Sequence, residues 1–333
     1  MKKNLVITET IQKYLEKFPK SPSKTLARKI YNENKELFMN EESVYLRVRY
    51  KRGAAGSKSR KSLKDKTFVK DTGIKVIMPE LPESFIKQDT VYNIPTGIKK
   101  LGIMGDIHLP YHDINAVKTC LNTFEKEEVD AIFINGDLLD FYQLSFYEKD
   151  PRKVRFKDEI AAGKKFFDHI RARFPKIPIY FIPGNHEIRL ERYLKVKASE
   201  LLDMDEFRLD VLLELRSKGI IYLEHKTTVN YGDYIIEHGD KIPGGGGVIP
   251  ARTAIMRFKR NVIINHFHKT SETSQNIYGK NESISAYSLG CLCELNADYL
   301  PLNDWNHGFA IMSKNSKNEV SVRNYRLING VLK

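Results

Sequence analysis

The sequence has little cysteine. Its three, Cys120, Cys291 and Cys293, are too few and too odd in number for a disulfide framework. Cys291 and Cys293 stand two apart on an expected strand, where they share a face but sit too far apart to bond each other easily. No apolar run approaches membrane-spanning length, and Met1-Lys2-Lys3-Asn4-Leu5-Val6 lacks the apolar core of a signal peptide. There are no internal repeats, and the one low-complexity piece is Gly244 to Gly247. These absences exclude a disulfide scaffold, a membrane-spanning helical protein and a repeat array. The expectation is a protein of a reducing cytoplasm with no membrane partner. What is present, 41% hydrophobic and 29% charged residues over 333, suits one large globular domain plus a small one.

The net charge of +13 is unevenly spread. Residues 1–70 hold 19 Lys+Arg against 7 Asp+Glu, whereas the rest holds 36 against 35. That asymmetry points to a separate basic module with a polyanionic partner. Within it, Ile7, Ile11, Tyr14, Leu15 and Phe18 have helical spacing over 7–18, and Leu26, Ile30 and Tyr31 mark a second helix over 24–32. A third runs from Asn40 to Gly53 through Val44, Tyr45, Leu46 and Val48, with Glu41 and Glu42 in its first turn, where the helix dipole favours negative charge. Its other face carries Arg47, Arg49, Lys51 and Arg52. Three short helices, the last one basic, look like a helix-turn-helix module that binds nucleic acid, DNA before RNA; the plainer alternative is a solvated helical bundle. A basic tail over 56–64 follows, and residues 71–98, with Pro79, Pro82 and Pro95, read as a linker.

From Lys99 the pattern alternates. Strands are expected over 100–106, 131–137 and 177–184, with helices over 112–126, 156–174 and, broken near Asp203, 188–218. Strands then dominate: 220–224, 234–238, 262–266, 283–293, 309–313 and 319–327. Alternating units followed by strand-rich sequence suggest an α/β sandwich of two mixed sheets with helices outside, spanning 99–333.

Five of these strands end in residues that hold metals: Gly105-Asp106-Ile107-His108, Gly136-Asp137-Leu138-Leu139-Asp140, Gly184-Asn185-His186-Glu187, His238-Gly239-Asp240 and Asn265-His266-Phe267-His268. Asp106 and His108, and likewise His266 and His268, would share a face of extended chain. Asp137, at the end of a buried strand, has two oxygens free to touch two cations. Mixed carboxylate, imidazole and amide ligands suit Mn²⁺, Fe, Zn²⁺ or Ni²⁺, and the lack of cysteine argues against a closed structural zinc.

In this order the five motifs resemble the calcineurin-like metallophosphoesterases over about residues 99–328. The longer phrases 106–113, 289–293 and 305–310 resemble a phage and prophage branch, in which a helical region often precedes the enzyme. The resemblance implies a four-layer αββα fold and two divalent metals, Mn²⁺ first. Asp106, His108, Asp137 and His268 would hold one and Asp137, Asn185, His238 and His266 the other, in a host cytoplasm if the chain is phage-encoded. Asn265 replaces the glycine that usually opens the last motif, and asparagine tolerates left-handed backbone.

Two cations roughly 3.5–4 Å apart share a hydroxide and clamp phosphoryl oxygens. Asp137 bridges them, and His186, beside a ligand without being one, is placed to protonate the leaving oxygen. Glu187 either orients His186 or caps the helix that follows, the cap being favoured, and His112 and Asp113 read as outer neighbours of the site. Tyr142, Phe146, Tyr147 and Arg152 either stack and grip a single strand or belong to the core. Gly244 to Gly247 either brings backbone amides to a phosphate or is a plain loop. The favoured reading is a phosphodiesterase acting on nucleic acid, a DNA nuclease of a mobile element. The alternatives are a small- or cyclic-nucleotide phosphodiesterase or phosphoprotein phosphatase, and an inert DNA-binding regulator.

Overall fold

Alternate residues of the central strands take opposite sides of a sheet. A computed structural model of the chain describes residues 2–53, 80–84, 90–147, 149–150, 152–243, 247–296 and 302–333. The tail over 56–64, most of the expected linker and Gly244 to Gly246 lie outside the described residues. The chain divides into two compact units, Met1–Phe85 and Ile86–Lys333.

In the larger unit, β2 (Lys100–Met104), β3 (Ala131–Asn135), β4 (Ile179–Ile182) and β5 (Ile220–Tyr222) pair in parallel. The antiparallel strands β11 (His307–Lys314), β12 (Val320–Ile328) and β13 (Val331–Leu332) extend this sheet to seven, in the order β13-β12-β11-β2-β3-β4-β5. A second sheet is built from β1 (Val91–Asn93), β6 (Thr228–Tyr231), β7 (Tyr234–Glu237), β8 (Val262–Ile264), β9 (Ser271–Asn276) and β10 (Ser283–Ser288). Its order is β1-β6-β7-β8-β10-β9.

Leu101, Ile103, Ala131, Phe133, Tyr180 and Ile182 meet Val229, Tyr231, Ile236 and Ile263 between the sheets. Met104, Ile132, Ile134, Ile179 and Phe181 face the other way, onto the helices Ile114–Lys126, Phe156–Arg173 and Ile188–Lys197. The helix Pro250–Phe258 covers the outer face of the second sheet. The result is helix, sheet, sheet, helix. Period-two burial against two apolar layers is why these parallel strands read as continuous apolar runs. β1 builds residues 91–93 of the expected linker into the second sheet, with Ile94 and Ile98 buried behind it. β9 has no apolar signature because it is an exposed edge strand, and the strand expected over 283–293 stops at Ser288. Among the described residues, no helix is long and apolar enough to cross a membrane.

The small unit packs α1 (Lys2–Lys17), α2 (Ser23–Glu33) and α3 (Glu41–Lys51) around Ile7, Ile11, Leu26, Ala27, Ile30, Phe38, Val44 and Val48. Asn40 caps α3, accepting from the Ser43 amide at 2.8 Å. Leu46, expected on the buried face, is exposed because Val44 and Val48 define that face and position 46 falls opposite at 100° per residue. Arg47 and Lys51 point to solvent, and Arg49 lies over the Tyr45 ring. Arg52 does not join them. Its guanidinium donates to Ser23 Oγ at 3.1 Å and to the Phe18 and Pro19 carbonyls, fastening α3 to the α1–α2 junction.

Inside the large unit, Glu159 is fully buried and accepts from the Tyr142 amide at 3.1 Å. Burial, with the Asp140 charge nearby, pushes its carboxyl up to about 8. Between its ordinary value and about 8 the folded state therefore holds a proton that the unfolded state has lost, so stability falls as pH rises through that window. Glu159→Gln removes the penalty. Its melting temperature should gain on the wild type as pH rises from about 5 to about 8 and level off above that; a constant offset would contradict the assignment.

Candidate metal centre

All five motifs leave the carboxyl ends of parallel-paired strands: β2, β3 and β4 of one sheet, β7 and β8 of the other. Five expected ligands do not continue as extended chain. Asp106 (φ 49°), His108 (51°), Asp137 (49°), His266 (72°) and His268 (57°) are left-handed. The shared-face argument for Asp106/His108 and His266/His268 therefore fails, because each pair is turned inward by strained backbone. Such conformations cost about 1–3 kcal/mol each and concentrate at functional sites. Gly136 (φ 81°) and Gly184 let the loops touch, since a Cβ on Gly184 would stand 2.6 Å from the Asp137 amide.

A buried carboxylate braces these loops. Glu187 accepts from the amides of Asp137 (3.0 Å), Leu139 (2.7 Å) and Gly184 (2.7 Å). It makes no side-chain cap on Ile188–Lys197. The expected capping role is thus replaced by one joining two motifs.

Two donor groups result. In the first, His108 Nε2 and His268 Nε2 face each other at 3.2 Å. His108 Nδ1 lies 3.1 Å from Asp140 Oδ1, a carboxylate that accepts its hydrogen and leaves the Nε2 lone pair inward, and His268 Nδ1 lies 3.9 Å from the Cys293 thiol. Burial, with His186 nearby, lowers His108; burial, with His108 beside it, holds His268 well below the usual histidine range. Two neutral rings at that distance either share one N–H···N hydrogen bond or turn two lone pairs toward a cation held between them. Asp106 Oδ1 is 3.6 Å from His268 Nε2 and, among the described residues, has no hydrogen-bond donor.

In the second group, His238 Nε2 is 3.1 Å from Asp137 Oδ2 and 3.3 Å from Asn185 Oδ1, while its Nδ1 binds the Asn135 carbonyl at 2.8 Å. His266 Nδ1 is buried without a partner among the described residues, and its ring lies against that of His238. Asp137 Oδ2 also lies 3.9 Å from His108 Nε2, so one oxygen looks into both groups. Burial pushes Asp137 up, but His238 and His186 outweigh it and hold it well below the usual carboxylate range. Burial alone would lower His238; Asp137 instead raises it to about 10.

The donors fit divalent metals. Ligands at about 2.0–2.2 Å in tetrahedral or octahedral array stand roughly 3.0–3.5 Å from one another, and the spacings from 3.1 to 3.9 Å overlap that range and extend slightly beyond it. Asp137, His238 and His266 form one trio, and His108 groups with Asp137 and His186 or with His268 and Cys293.

His186 stands at the rim. Its amide donates to Asp137 Oδ1 at 2.9 Å, its Nδ1 meets the Asp140 carbonyl at 2.8 Å, and its Nε2 is 3.9 Å from Asp137 Oδ2. Burial alone would lower its ring, but Asp137 draws it above its ordinary value. Yet Arg189 Nη2, which can only donate, lies 3.0 Å from Nε2, so a proton there requires Arg189 to withdraw.

Other expectations fall apart from the centre. Arg152 pairs with Asp150 through Nε (2.9 Å) and Nη2 (2.8 Å). Tyr142 is half-buried and accepts from the Asp150 amide, whereas Phe146 (73%) and Tyr147 (82%) are exposed. His112 meets the Pro110 carbonyl, and Asp113 caps Ile114–Lys126. Asn265 is not left-handed; buried, it accepts from Asn135 Nδ2 at 2.9 Å and ties β8 to β3. Sequence reasoning missed Asp140, which orients His108, although the second motif contains it. It also missed Arg189 and Cys293, for which no local pattern exists.

The calcineurin-like phosphoesterase family model matches residues 99–293. The chain belongs to that family. No curated protein matches it. Similar solved structures include Vps29 from Entamoeba histolytica complexed with Zn²⁺ (15% identity, 70% of this chain and 96% of that one, TM-score 0.39). A dimetal phosphatase from Danio rerio (11%, 69% and 96%, 0.35) and the phosphoesterase Yfce from E. coli (11%, 67% and 98%, 0.30) are others. At these scores they bear on neither substrate nor mechanism.

For this phosphoesterase, Asp137→Asn should empty both metal sites by elemental analysis, and His268→Ala mainly one. Two full equivalents in Asp137→Asn would remove Asp137 from its bridging place.

Proposed function

We propose that the protein is a metal-dependent phosphodiesterase acting on nucleic acid, DNA first. The observation that carries the catalytic part is the pair of facing Nε2 atoms of His108 and His268 beside Asp137 Oδ2, a donor set that calls for cations. When bound, two divalent metals, Mn²⁺ foremost, supply the nucleophile and neutralise charge on the phosphoryl group. The chain's own residues hold and shape that site. Asp106, His108, Asp137 and His268 would hold one metal, and Asp137, Asn185, His238 and His266 the other. Asp140 and the Asn135 carbonyl fix two of the histidine tautomers. His186, with no metal ligation required of it, gives a proton from Nε2 to the leaving oxygen once Arg189 has withdrawn from that atom.

The nucleic-acid part is supported by the balance of +12 in residues 1–70 and by Arg47, Arg49 and Lys51 on α3. The phrases around Asp106, Cys291 and Trp305 support a phage or prophage-type branch, and residues 1–70 serve as its helix-turn-helix-like anchor.

Turnover of bis(p-nitrophenyl) phosphate and of DNA with Mn²⁺ tests the reading: both should be hydrolysed, and failure on DNA with success on the small ester would leave a phosphodiesterase of another substrate. His186→Ala should slow a nucleotide diester by roughly 10²–10⁴-fold and the aryl ester much less, because only the alkoxide needs a proton. Equal slowing would remove the acid role. Replacing Arg47, Arg49 and Lys51 by alanine should lower the slope of log affinity against log salt by about one for each phosphate no longer neutralised. An unchanged slope would detach the module from DNA.

A further inference from the structure

The helix Ile188–Lys197 starts directly after Glu187, and its first turn brings Arg189 to the rim of the metal centre. Arg189 is half-buried and donates to two neutral acceptors, the Asp140 carbonyl through Nη1 (2.9 Å) and His186 Nε2 through Nη2 (3.0 Å). Among the described residues it pairs with no carboxylate. A cation taken partly out of water is costly; Glu159 lies within its electrostatic reach but makes no ion pair with it, and it is kept next to a site whose proposed substrate is an anion. Its reach is limited: with His186 Nε2 3.9 Å from Asp137 Oδ2, Nη2 is at most 6.9 Å from that oxygen.

One turn further along, at i+4, Tyr193 lies on the same helix face, with 40% of its surface exposed, and Arg192 beside it is exposed. Leu190 and Leu194, about 100° round the helix on the adjoining face, are buried in the core and fix the helix's rotation. The order outward from the metal centre is therefore His186, Arg189, Tyr193. A polynucleotide alternates phosphates and bases along its strand, the two groups that an arginine and an exposed tyrosine ring bind.

We infer that Arg189 and Tyr193 form the subsite for the nucleotide next to the scissile phosphate, Arg189 binding its phosphate and Tyr193 stacking on its base. This rests on the nucleic-acid phosphodiesterase reading. It differs from the loop carrying Phe146 and Tyr147.

The test uses the full chain and a fluorescent oligothymidylate. Arg189→Gln and Tyr193→Ala should each weaken its binding, measured by anisotropy without added metal, by roughly tenfold. With Mn²⁺, each should raise KM for the oligonucleotide at least tenfold more than for bis(p-nitrophenyl) phosphate, which has no neighbouring phosphate. Arg189→Lys should recover part of the loss. Tyr193→Ala, at an exposed position, keeps the test valid should Arg189→Gln fold poorly. Unchanged binding in both variants, or equal losses on the two substrates, would overturn the subsite and leave Arg189 as a support of His186. If the wild type hydrolyses the small ester but neither binds nor cuts the oligonucleotide, the nucleic-acid reading fails and the subsite with it. If it hydrolyses neither, the catalytic reading fails, and weaker oligonucleotide binding in the variants still upholds the subsite.

Discussion

The carboxylate of Glu187 takes three backbone N–H groups, from Asp137, Leu139 and Gly184, and so locks two strand-end loops against each other. Much of the metal centre hangs on that lock. It holds Asp137 in left-handed backbone, with one oxygen on the His186 amide and the other facing both donor groups. A charge-assisted hydrogen bond is about twice as strong as a neutral one, and three of them offset the strain of the loop they hold. Burial, with Asp137 close by, pushes Glu187 up to about 7, so the brace is itself held at electrostatic cost.

That cost is general. Asp106, Asp137, Asp140 and Glu187 are all buried within one small volume. Burial pushes Asp106 up to about 7 as well, while burial and His238 bring His266 down to about 4. A protein keeps carboxylates and neutral imidazoles crowded like this when divalent cations balance the charge. Orphaned polar atoms at Asp106 and His266 belong to the same account. Arg189 adds a cation at the edge of that balance, against the His186 ring.

Much of this was legible in the sequence, for a definite reason. Parallel strands buried on both faces give apolar runs, and the abrupt change to Gly-Asp, Gly-Asn-His or Asn-His-x-His marks where each run meets the cleft. Six of the seven positions expected to be ligands therefore come together at donor–donor distances, with His266 packed against the His238 ring. The manner of their convergence was not legible, since a left-handed turn at Asp106 or His268 depends on hydrogen bonds from remote loops. Glu187 was misread because a glutamate before a helix resembles a cap, and only the fold reveals three amides pointing at it. Arg52 was misread because its partners, Ser23, Phe18 and Pro19, lie about thirty residues away. β9 was missed because a solvated edge strand needs no apolar residues.

The central claim is that Asp137 holds two cations side by side. Electron paramagnetic resonance of the protein titrated with Mn²⁺ tests it most directly. At two equivalents the account predicts the spectrum of an exchange-coupled Mn²⁺ pair, replacing that of isolated ions seen at low loading. A spectrum of isolated ions persisting at full loading would contradict a shared carboxylate bridge.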